Sequence, residues 1–239
     1  MIKRPPQKVV DEYRKLYTDV VYDGLARIMG PSGGVCDPEI RPILDFMKGK
    51  VYVGPAITIK WAQRELLTLA EKRLRESGRT REDYQAIVDV AQPGDIIVSA
   101  GYGQKYGYWG DVLSNFAKAK GVEAIVIDGY TRDRANNERL EFPIFARGST
   151  PLAEAFVMET IDMNVPVQIG SVEVCPGDLV MGDDDGVLII PQRHIEETLK
   201  YALEKRSYEE KMIADARAGK SLIESMKDIY FELHVYKTE

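Results

Sequence analysis

The sequence is poor in the residues that build disulfide frameworks and most zinc sites. Its 239 residues include only two cysteines, Cys36 and Cys175, and two histidines, His194 and His234. The cysteines form no CxxC pair, which favours reduced intracellular thiols over a disulfide framework. The histidines form no HExxH motif, so that class of zinc site is excluded. Any metal bound here would have to be a hard cation held by oxygen atoms.

Long apolar runs and an excess of positive charge are also missing. No run approaches the roughly 18 apolar residues of a membrane-spanning helix, and the longest, such as residues 124–127, have the length of strands. The 32 Lys and Arg against 38 Asp and Glu give a formal net charge of −6, which opposes attraction to nucleic acid or anionic lipid. The first residues carry prolines but no apolar segment typical of a secretory signal. We therefore expect a cytoplasmic protein with neither membrane nor nucleic acid as a partner.

The spacing of apolar residues predicts an α/β protein with a single domain over residues 1–239. A helix is expected from about Val9 to Met29, and a strand from Val51 to Trp61. Residues 62–91 are charged with helical spacing, which predicts a helical segment in two pieces. Residues 192–239 predict C-terminal helices, the first ending near Ala218 and the second running over Ser221 to Leu233.

The middle of the chain has the order strand, glycine-rich loop, helix, strand. The strand Asp95–Val98 precedes a glycine-rich loop that runs through Gly110, the helix covers Asp111–Lys120, and the next strand covers Val122–Asp128. In such a βαβ unit ligands bind at the loops that follow the strands. Five more short apolar runs predict a mostly antiparallel sheet, and they are Phe142–Ala146, Val165–Ile169, Val172–Cys175, Asp178–Met181 and Val187–Ile190.

Three familiar motifs are matched only in part. A dinucleotide GxGxxG fingerprint fails at Tyr106, where glycine is required. Residues 30–34 match the GxSxG nucleophile elbow, but they follow a predicted helix instead of a strand, so an ordinary turn is favoured. Residues 183–186 look like a calcium loop, yet its first ligand position falls on Met181, and a hairpin turn is favoured.

Two acidic residues and one arginine form the constellation that points to chemistry. Asp111 opens a predicted helix, and Arg132 and Asp133 lie just past the next strand, with twenty residues between Asp111 and Arg132. Both positions fall at the carboxyl edge of the predicted sheet, so the three side chains can face one pocket. From the residues alone, an N-cap at Asp111 and a surface turn at Arg132 and Asp133 remain open as the simpler alternative.

The wider pattern resembles the family of RraA-like proteins and class II 4-hydroxy-4-methyl-2-oxoglutarate/4-carboxy-4-hydroxy-2-oxoadipate aldolases. The aldolases share a D-x20-R-D pattern, which here falls on Asp111, Arg132 and Asp133. The segments that carry the resemblance extend over most of the chain, and they are residues 18–25, 53–58, 93–95, 109–111, 128–133, 142–148, 176–178 and 182–191.

The resemblance implies a swivelling-type β/β/α core, assembled into homotrimers or hexamers with sites at subunit boundaries. It also implies Mg2+ or Mn2+, held directly by Asp133 and through water by Asp111. In the aldolases a carboxylate from the C-terminal helix of a neighbouring subunit completes the site, and Glu209 or Glu210 is the equivalent expected here. The segment 62–91 is longer and more charged than the family pattern, which puts the substrate preference in doubt.

The implied chemistry is cleavage of a 4-hydroxy-2-oxo acid to pyruvate by a retro-aldol reaction, with decarboxylation of oxaloacetate as a related activity. A divalent cation acts as a Lewis acid on the developing enolate, and Arg132 adds a permanently charged donor fork. Asp111 can relay a proton through bound water. The N–H groups of residues 110–113 are expected to take the pyruvyl carboxylate of this small 2-oxo acid. Arg147 and Lys105 are candidates for the acceptor side.

Two other classes of function are weighed against the lyase. Regulator-type RraA proteins bind and inhibit an RNA-degrading endonuclease without catalysis, but they tend to lack the aspartate found here at Asp111. A demethylmenaquinone methyltransferase, an old label in this family, predicts an S-adenosylmethionine loop. The only glycine-rich candidate for that loop is residues 101–110, which a helix beginning with Asp111 follows. The turn 129–133 replaces the acidic ribose-binding residue expected after the second strand, so the methyltransferase is disfavoured.

Overall fold

The computed structural model describes residues 2–63 and 84–233. The helices expected within residues 64–83 and the end of the C-terminal segment lie outside these ranges. The described helices are α1 Gln7–Tyr13, α2 Thr18–Met29, α3 Ala86–Val90, α4 Asp111–Ala119, α5 Arg134–Leu140, α6 Ile195–Arg217 and α7 Leu222–Leu233. The described strands are β1 Arg41–Pro42, β2 Tyr52–Gln63, β3 Ile96–Gly107, β4 Ala124–Thr131, β5 Ile144–Ser149, β6 Met158–Met163, β7 Val167–Ile169, β8 Val172–Val174, β9 Leu179–Asp183 and β10 Gly186–Ile190.

The main sheet has eight strands in the order β1-β5-β4-β3-β2-β9-β10, with β6 paired to β2. Strands β2, β3, β4 and β5 run parallel to one another. The other pairings, β1 with β5, β6 and β9 with β2, and β10 with β9, are antiparallel. The sheet is nearly closed and barrel-like, with helices at both ends of the chain. The predicted α/β class is confirmed. No described helix combines the length and apolar character that crossing a bilayer would need.

Strand β2 changes partner halfway along its length. Residues 52–55 pair with β9, whereas Ala56–Lys60 pair with β3. Pro55 lies at this change of partner, where the lack of a backbone N–H interrupts neither ladder. Gly54 lies so close to the turn before β3 that an added Cβ would be 2.0 Å from the Gly94 carbonyl oxygen. The Gly-Pro signal in the sequence therefore marks a junction inside a central strand.

The first predicted helix is wrong in one respect, because it is divided in two between Tyr13 and Thr18. The second helix starts where the Asp183 carboxylate accepts both the Thr18 N–H, at 2.8 Å, and the Thr18 hydroxyl, at 2.7 Å. In the gap, Arg14 donates to Glu123 and to the carbonyl of Val53. These partners come from distant parts of the chain, so helical spacing alone could not reveal the break.

The glycine-rich loop of the sequence prediction is mostly strand. Strand β3 continues to Gly107, and its pairing with β4 passes through two irregularities, one on each side of Gln104. Tyr102 and Gly103 have positive φ angles of 53° and 69°, which bend the strand without ending it. The β-rich second half is only partly antiparallel, because β5 joins the sheet parallel to β4. The two favoured turns are confirmed, at residues 30–34 after α2 and at Asp184–Asp185 between β9 and β10.

Two hydrophobic clusters hold the described elements together. One is formed by α1, α2 and α6 against β9 and β10, and the other fills the space around the parallel strands. The second cluster includes Trp109, which is stacked on Phe142 with ring centroids 6.4 Å apart. It also includes the buried Cys36, and burial raises the pKa of this thiol to about 12. The thiol is therefore protonated at neutral pH. Trp109 therefore anchors the segment that follows β3 in the core.

Candidate functional site

A cavity of about 590 Å3 opens where β3 and β4 end. It is bounded by the segment between β3 and α4, the corner after β4, helix α3 and the short 3-10 turn that starts at Glu154. The edge lies at the carboxyl ends of parallel strands, which is the usual place for ligands in an α/β sheet. The lining residues with polar side chains include Tyr84, Gln85, Asp89, Tyr108, Asp111, Arg132, Asp133 and Glu154.

The backbone between β3 and α4 is tied to the end of β4. The carbonyl of Trp109 accepts the Arg132 N–H at 2.7 Å and the Thr131 hydroxyl at 2.8 Å. The Trp109 indole N–H donates to Ser114 at 2.8 Å, inside the first turns of α4. Trp109 thus fixes the start of α4 directly beside Arg132 and Asp133, and this places Asp111 in the same cavity.

Asp133 is held in an unusual backbone conformation at the start of α5. Its φ and ψ angles are 56° and 36°, in the left-handed region that aspartate tolerates better than most residues. The buried Asn137 amide donates to the carbonyls of Arg132, at 3.0 Å, and Asp133, at 3.2 Å. The Asp133 carboxylate in turn accepts the Asp111 N–H at 3.3 Å. The conformation directs this carboxylate towards the beginning of α4.

The Arg132 side chain lies along Gly107 and reaches the cavity. A Cβ added at Gly107 would be 2.2 Å from Arg132 Cγ, so only glycine leaves room for the arginine stem. Within the described ranges, no hydrogen bond or ion pair engages the Arg132 guanidinium. A half-buried guanidinium with free donors in a cavity is suited to an anionic ligand.

Two backbone N–H groups of α4 also face this region of the chain. The first bond of the helical ladder runs from Ser114 N–H to the Gly110 carbonyl, so the N–H groups of Val112 and Leu113 precede it. Asp133 takes the Asp111 N–H. The positive end of the α4 dipole therefore lies beside Arg132, and both favour a carboxylate.

The donor set of the cavity fits a hard divalent cation. Asp111 and Asp133 supply carboxylate oxygens, and neither forms an ion pair within the described ranges. In those ranges no group of three or more His, Cys, Asp or Glu is arranged to hold a metal. Mg2+ is often held by one or two carboxylates, with waters and substrate oxygens completing its octahedron. The two aspartates fit that pattern of magnesium binding. The described residues do not form a closed cage of protein ligands.

Comparison with known proteins gives the family. The family model described as RraA-like, Aldolase/RraA, matches residues 17–189. The chain belongs to the RraA-like family. The matched range includes Asp111, Arg132, Asp133 and the elements that bring them together.

Relatives of this RraA-like chain carry names from both branches of the family. A protein of Halalkalibacterium halodurans named "Putative 4-hydroxy-4-methyl-2-oxoglutarate aldolase" is 35% identical over 159 residues, covering 66% of this chain and 68% of the relative. Streptomyces coelicolor RraAS2, described as an unusual member of the RNase ES inhibitor RraA protein family, has a TM-score of 0.72 at 28% identity and covers 87% of this chain and 96% of its own. An uncharacterized Pseudomonas syringae protein has a TM-score of 0.77 at 26% identity, over 94% and 99% of the two chains. The swivelling-type fold expected from the resemblance is confirmed.

Some sequence-predicted residues of the RraA-like chain lie outside the cavity. Glu209 and Glu210 are on α6, where they pair with Lys205 at 3.6 Å and Arg206 at 3.0 Å, and they line no part of this cavity. Their expected role belongs to a neighbouring subunit and stays a prediction. Lys105 lies on β3 and is likewise absent from the lining.

Arg147 is engaged elsewhere, so its proposed part in acceptor recognition is not supported. Its guanidinium donates to Asp128 at 2.8 Å, to Asp37 at 2.8 Å and to Glu39 at 2.7 Å. All three donating nitrogens are thereby occupied by carboxylates. The residue ties β5 to the segment before β1 instead of facing the cavity.

Sequence reasoning missed four residues that shape the site. Gly107 makes room for Arg132, Asn137 fixes the corner at Asp133, and Asn136 donates to Asp111 Oδ2 at 2.7 Å. Glu154 is buried in the cavity wall and accepts a long hydrogen bond from Tyr84 at 3.4 Å. The two asparagines lie three and four residues after Asp133, which was the available signal, since amides at that spacing can reach back to the preceding turn.

Proposed function

We propose that this RraA-like protein is a divalent-metal-dependent lyase that cleaves a 4-hydroxy-2-oxo acid to pyruvate by a retro-aldol reaction. Decarboxylation of oxaloacetate is the related activity, because both reactions generate a pyruvate enolate. The observation that carries the proposal is the meeting of Asp111, Arg132 and Asp133 in one cavity, with the guanidinium left without a partner by the described residues. The aldolase-named relatives support the same class of reaction.

The residues of this chain divide the work on such a substrate. The N–H groups of Val112 and Leu113 bind the 2-oxo acid's carboxylate at the start of α4. Arg132 donates to the 2-oxo oxygen as negative charge develops there, a task for which its planar fork of donors is suited. Asp111 lies within the same cavity and takes the proton from the 4-hydroxyl group through a water molecule as the C3–C4 bond breaks. The same proton then returns to C3 of the enolate, which gives pyruvate.

Asp133 and Asp111 would hold Mg2+ or Mn2+, Asp133 directly and Asp111 through water. When bound, such an ion supplies Lewis-acid stabilisation of negative charge on the substrate's keto and carboxylate oxygens. We further propose a homotrimer or hexamer, in which Glu209 or Glu210 of a neighbouring subunit completes the site. A single domain over residues 1–239 and a cytoplasmic location remain parts of this proposal.

The test is pyruvate release from 4-hydroxy-4-methyl-2-oxoglutarate and from oxaloacetate, measured with Mg2+ and with excess EDTA. We expect release with Mg2+ and a loss of at least about a hundredfold with EDTA, restored by added metal. Equal rates under both conditions would remove the metal from the mechanism.

A matched pair of arginine variants tests the oxyanion role. Arg132→Ala should lower kcat by about a hundred- to a thousandfold, the usual effect of removing one oxyanion donor. Arg134→Ala is the control, since Arg134 lies two residues away but donates to the carbonyl of Ile43, and it should keep its activity. Normal turnover by Arg132→Ala would exclude the assigned role.

The likeness to Streptomyces coelicolor RraAS2 supports a second candidate, a protein-binding regulator of a ribonuclease. A regulator needs no metal and should tolerate Asp133→Ala. Binding to a ribonuclease, measured with wild-type and Asp133→Ala protein, separates the two functions. Undiminished binding by the variant, together with no pyruvate release by the wild type, would favour the regulator.

A further inference from the structure

Asp111 is held by a side chain that no sequence motif singles out. Asn136 lies on α5, three residues past Asp133, and its amide Nδ2 donates to Asp111 Oδ2 at 2.7 Å. The other end of the same amide is also used, because Arg139 Nη1 donates to Asn136 Oδ1 at 2.9 Å. Three polar side chains therefore form a row of two hydrogen bonds that ends on Asp111.

The two hydrogen bonds run from Arg139 to Asn136 and from Asn136 to Asp111, and this order of donors and acceptors requires an amide at position 136. An amide carries a donor and an acceptor on opposite ends, so it can accept from a guanidinium while donating to a carboxylate. Each bond polarises the amide in the sense that strengthens the other. Of the standard side chains of this size, only asparagine serves both partners, since aspartate could accept from Arg139 but could not donate to Asp111.

Helix geometry makes the arrangement stable. Asn136 and Arg139 are three residues apart on α5 and share one face of the helix. Both the Asn136 and Asn137 N–H groups donate to the Asp133 carbonyl, at 2.9 Å and 3.0 Å, which fixes the first turn of α5. In the part of the chain that the structure describes, α4 holds Asp111 through its backbone alone, where the Asn115 amide donates to the Asp111 carbonyl oxygen at 2.9 Å. Within the described residues, the hydrogen bond to the Asp111 carboxylate thus comes from α5, across the cavity edge.

We propose that Asn136, supported by Arg139, is a positioning residue that fixes the orientation of the Asp111 carboxylate. The inference rests on the proposed function, in which Asp111 moves a proton for the lyase. Asn136 touches no reacting atom in this scheme. It restricts one carboxylate oxygen, Oδ2, and leaves the other oxygen of Asp111 for the proton transfer.

Two substitutions of Asn136 separate positioning from packing. Asn136→Asp keeps the shape and the bond from Arg139, but it replaces the donor to Asp111 with a second carboxylate. Asn136→Ala removes both bonds. We expect kcat for pyruvate release to fall at least about tenfold in each, with KM changed less than about threefold, and Asn136→Gln to recover part of the loss. Arg139→Ala should lower kcat by a smaller factor, because it removes the hydrogen bond to Asn136 and leaves the bond from Asn136 to Asp111.

Asn115→Ala is the matched control, since it removes an exposed asparagine that bonds to the Asp111 backbone and not to its carboxylate. It should keep kcat within about twofold. Melting temperatures of all variants should stay close to that of the wild type, because Asn136 is exposed and its loss leaves no buried group without a partner. Wild-type kcat in both Asn136→Asp and Asn136→Ala would overturn the inference.

A crystal structure of Asn136→Ala provides a readout that does not depend on activity. We expect the Asp111 carboxylate to leave the orientation it has in the wild type, while Asp133 and α5 stay in place. An unchanged Asp111 side chain would overturn the positioning role even if the wild type proves to be a lyase. Absence of pyruvate release from the wild type would instead overturn the proposed function, and the crystal structure would still decide the role of Asn136.

Discussion

Gly110 shows at the scale of a single residue how tightly the site is built. An alanine Cβ at this position would be 2.6 Å from Asp133 Oδ2, which is too close for the carboxylate to keep its place. The backbone angles, φ −137° and ψ 178°, are extended and suit alanine, so the fold should tolerate the change. We expect Gly110→Ala to lower kcat/KM for pyruvate release at least about tenfold, with little change in melting temperature.

The double variant Gly110→Ala, Asp133→Ala serves as the control for this steric explanation. If the alanine acts by displacing Asp133, adding it to Asp133→Ala should cause little further loss. Additive losses in kcat/KM would show that Gly110 matters for another reason. The same kinetic measurements decide both outcomes.

Asp37 should make the stability of the fold depend on pH, in a direction that follows from the partners of its carboxylate. The Glu39 N–H and then Arg147 hold the pKa of this carboxyl below its ordinary value of 3.8. Its contribution to stability is therefore present above the unfolded pKa and is lost as the pH falls through the folded pKa. The melting temperature of Asp37→Asn should lie below that of the wild type at neutral pH, and the gap should shrink as the pH falls below the ordinary pKa of 3.8. A gap that widens on acidification would contradict this linkage.

The shared position of three candidate residues could be predicted from the sequence, but the residues that support them could not. Asp111, Arg132 and Asp133 follow from the order of elements, because helix starts and strand ends share one edge of a parallel sheet. Asn136, Asn137 and Gly107 could not be assigned in this way. Their contributions depend on individual hydrogen bonds and on a clearance of a few ångströms, neither of which leaves a periodic pattern.

At the scale of secondary-structure elements, Asp183 fixes where α2 begins. Its buried carboxylate accepts the Thr18 N–H and hydroxyl from the opposite end of the chain. Asp183→Ala would leave both donors without this partner, so we expect a loss of about 1–3 kcal/mol in the free energy of unfolding. Urea denaturation measures it, and Asp185→Ala in the same turn is an exposed control that should change stability by less than about 0.5 kcal/mol. Equal losses in the two variants would exclude the capping role.

The ends of helices and strands were harder to predict than their presence. Helix α4 and helix α6 begin and end within a few residues of their predicted positions, because apolar spacing and terminal glycines are local signals. The division between α1 and α2 depends on Asp183, and the extension of β3 to Gly107 depends on pairing with β4. Both are decided by partners far away in the sequence, which local patterns do not contain.

At the scale of the whole molecule, one ion pair joins the N-terminal segment to the centre of the sheet. Arg4 donates through Nε and Nη2 to the two carboxylate oxygens of Asp95, each at 2.7 Å, across 91 residues of sequence. Asp95 is fully buried immediately before β3, and it also accepts the Gln92 N–H. The bidentate pair therefore closes the N-terminal edge of the parallel strands, at the opposite end of β3 from the cavity.

Removing one partner of this pair should cost far more than removing both. Arg4→Ala leaves a buried carboxylate without its cation, and we expect a loss of about 3 kcal/mol in the free energy of unfolding. Adding Asp95→Asn removes the buried charge, so the double variant should lose less than the sum of the single variants. Urea denaturation of the four proteins completes the cycle, with Lys3→Ala as the exposed control. A loss below about 0.5 kcal/mol in Arg4→Ala would place the pair among surface ion pairs, which contribute little to stability.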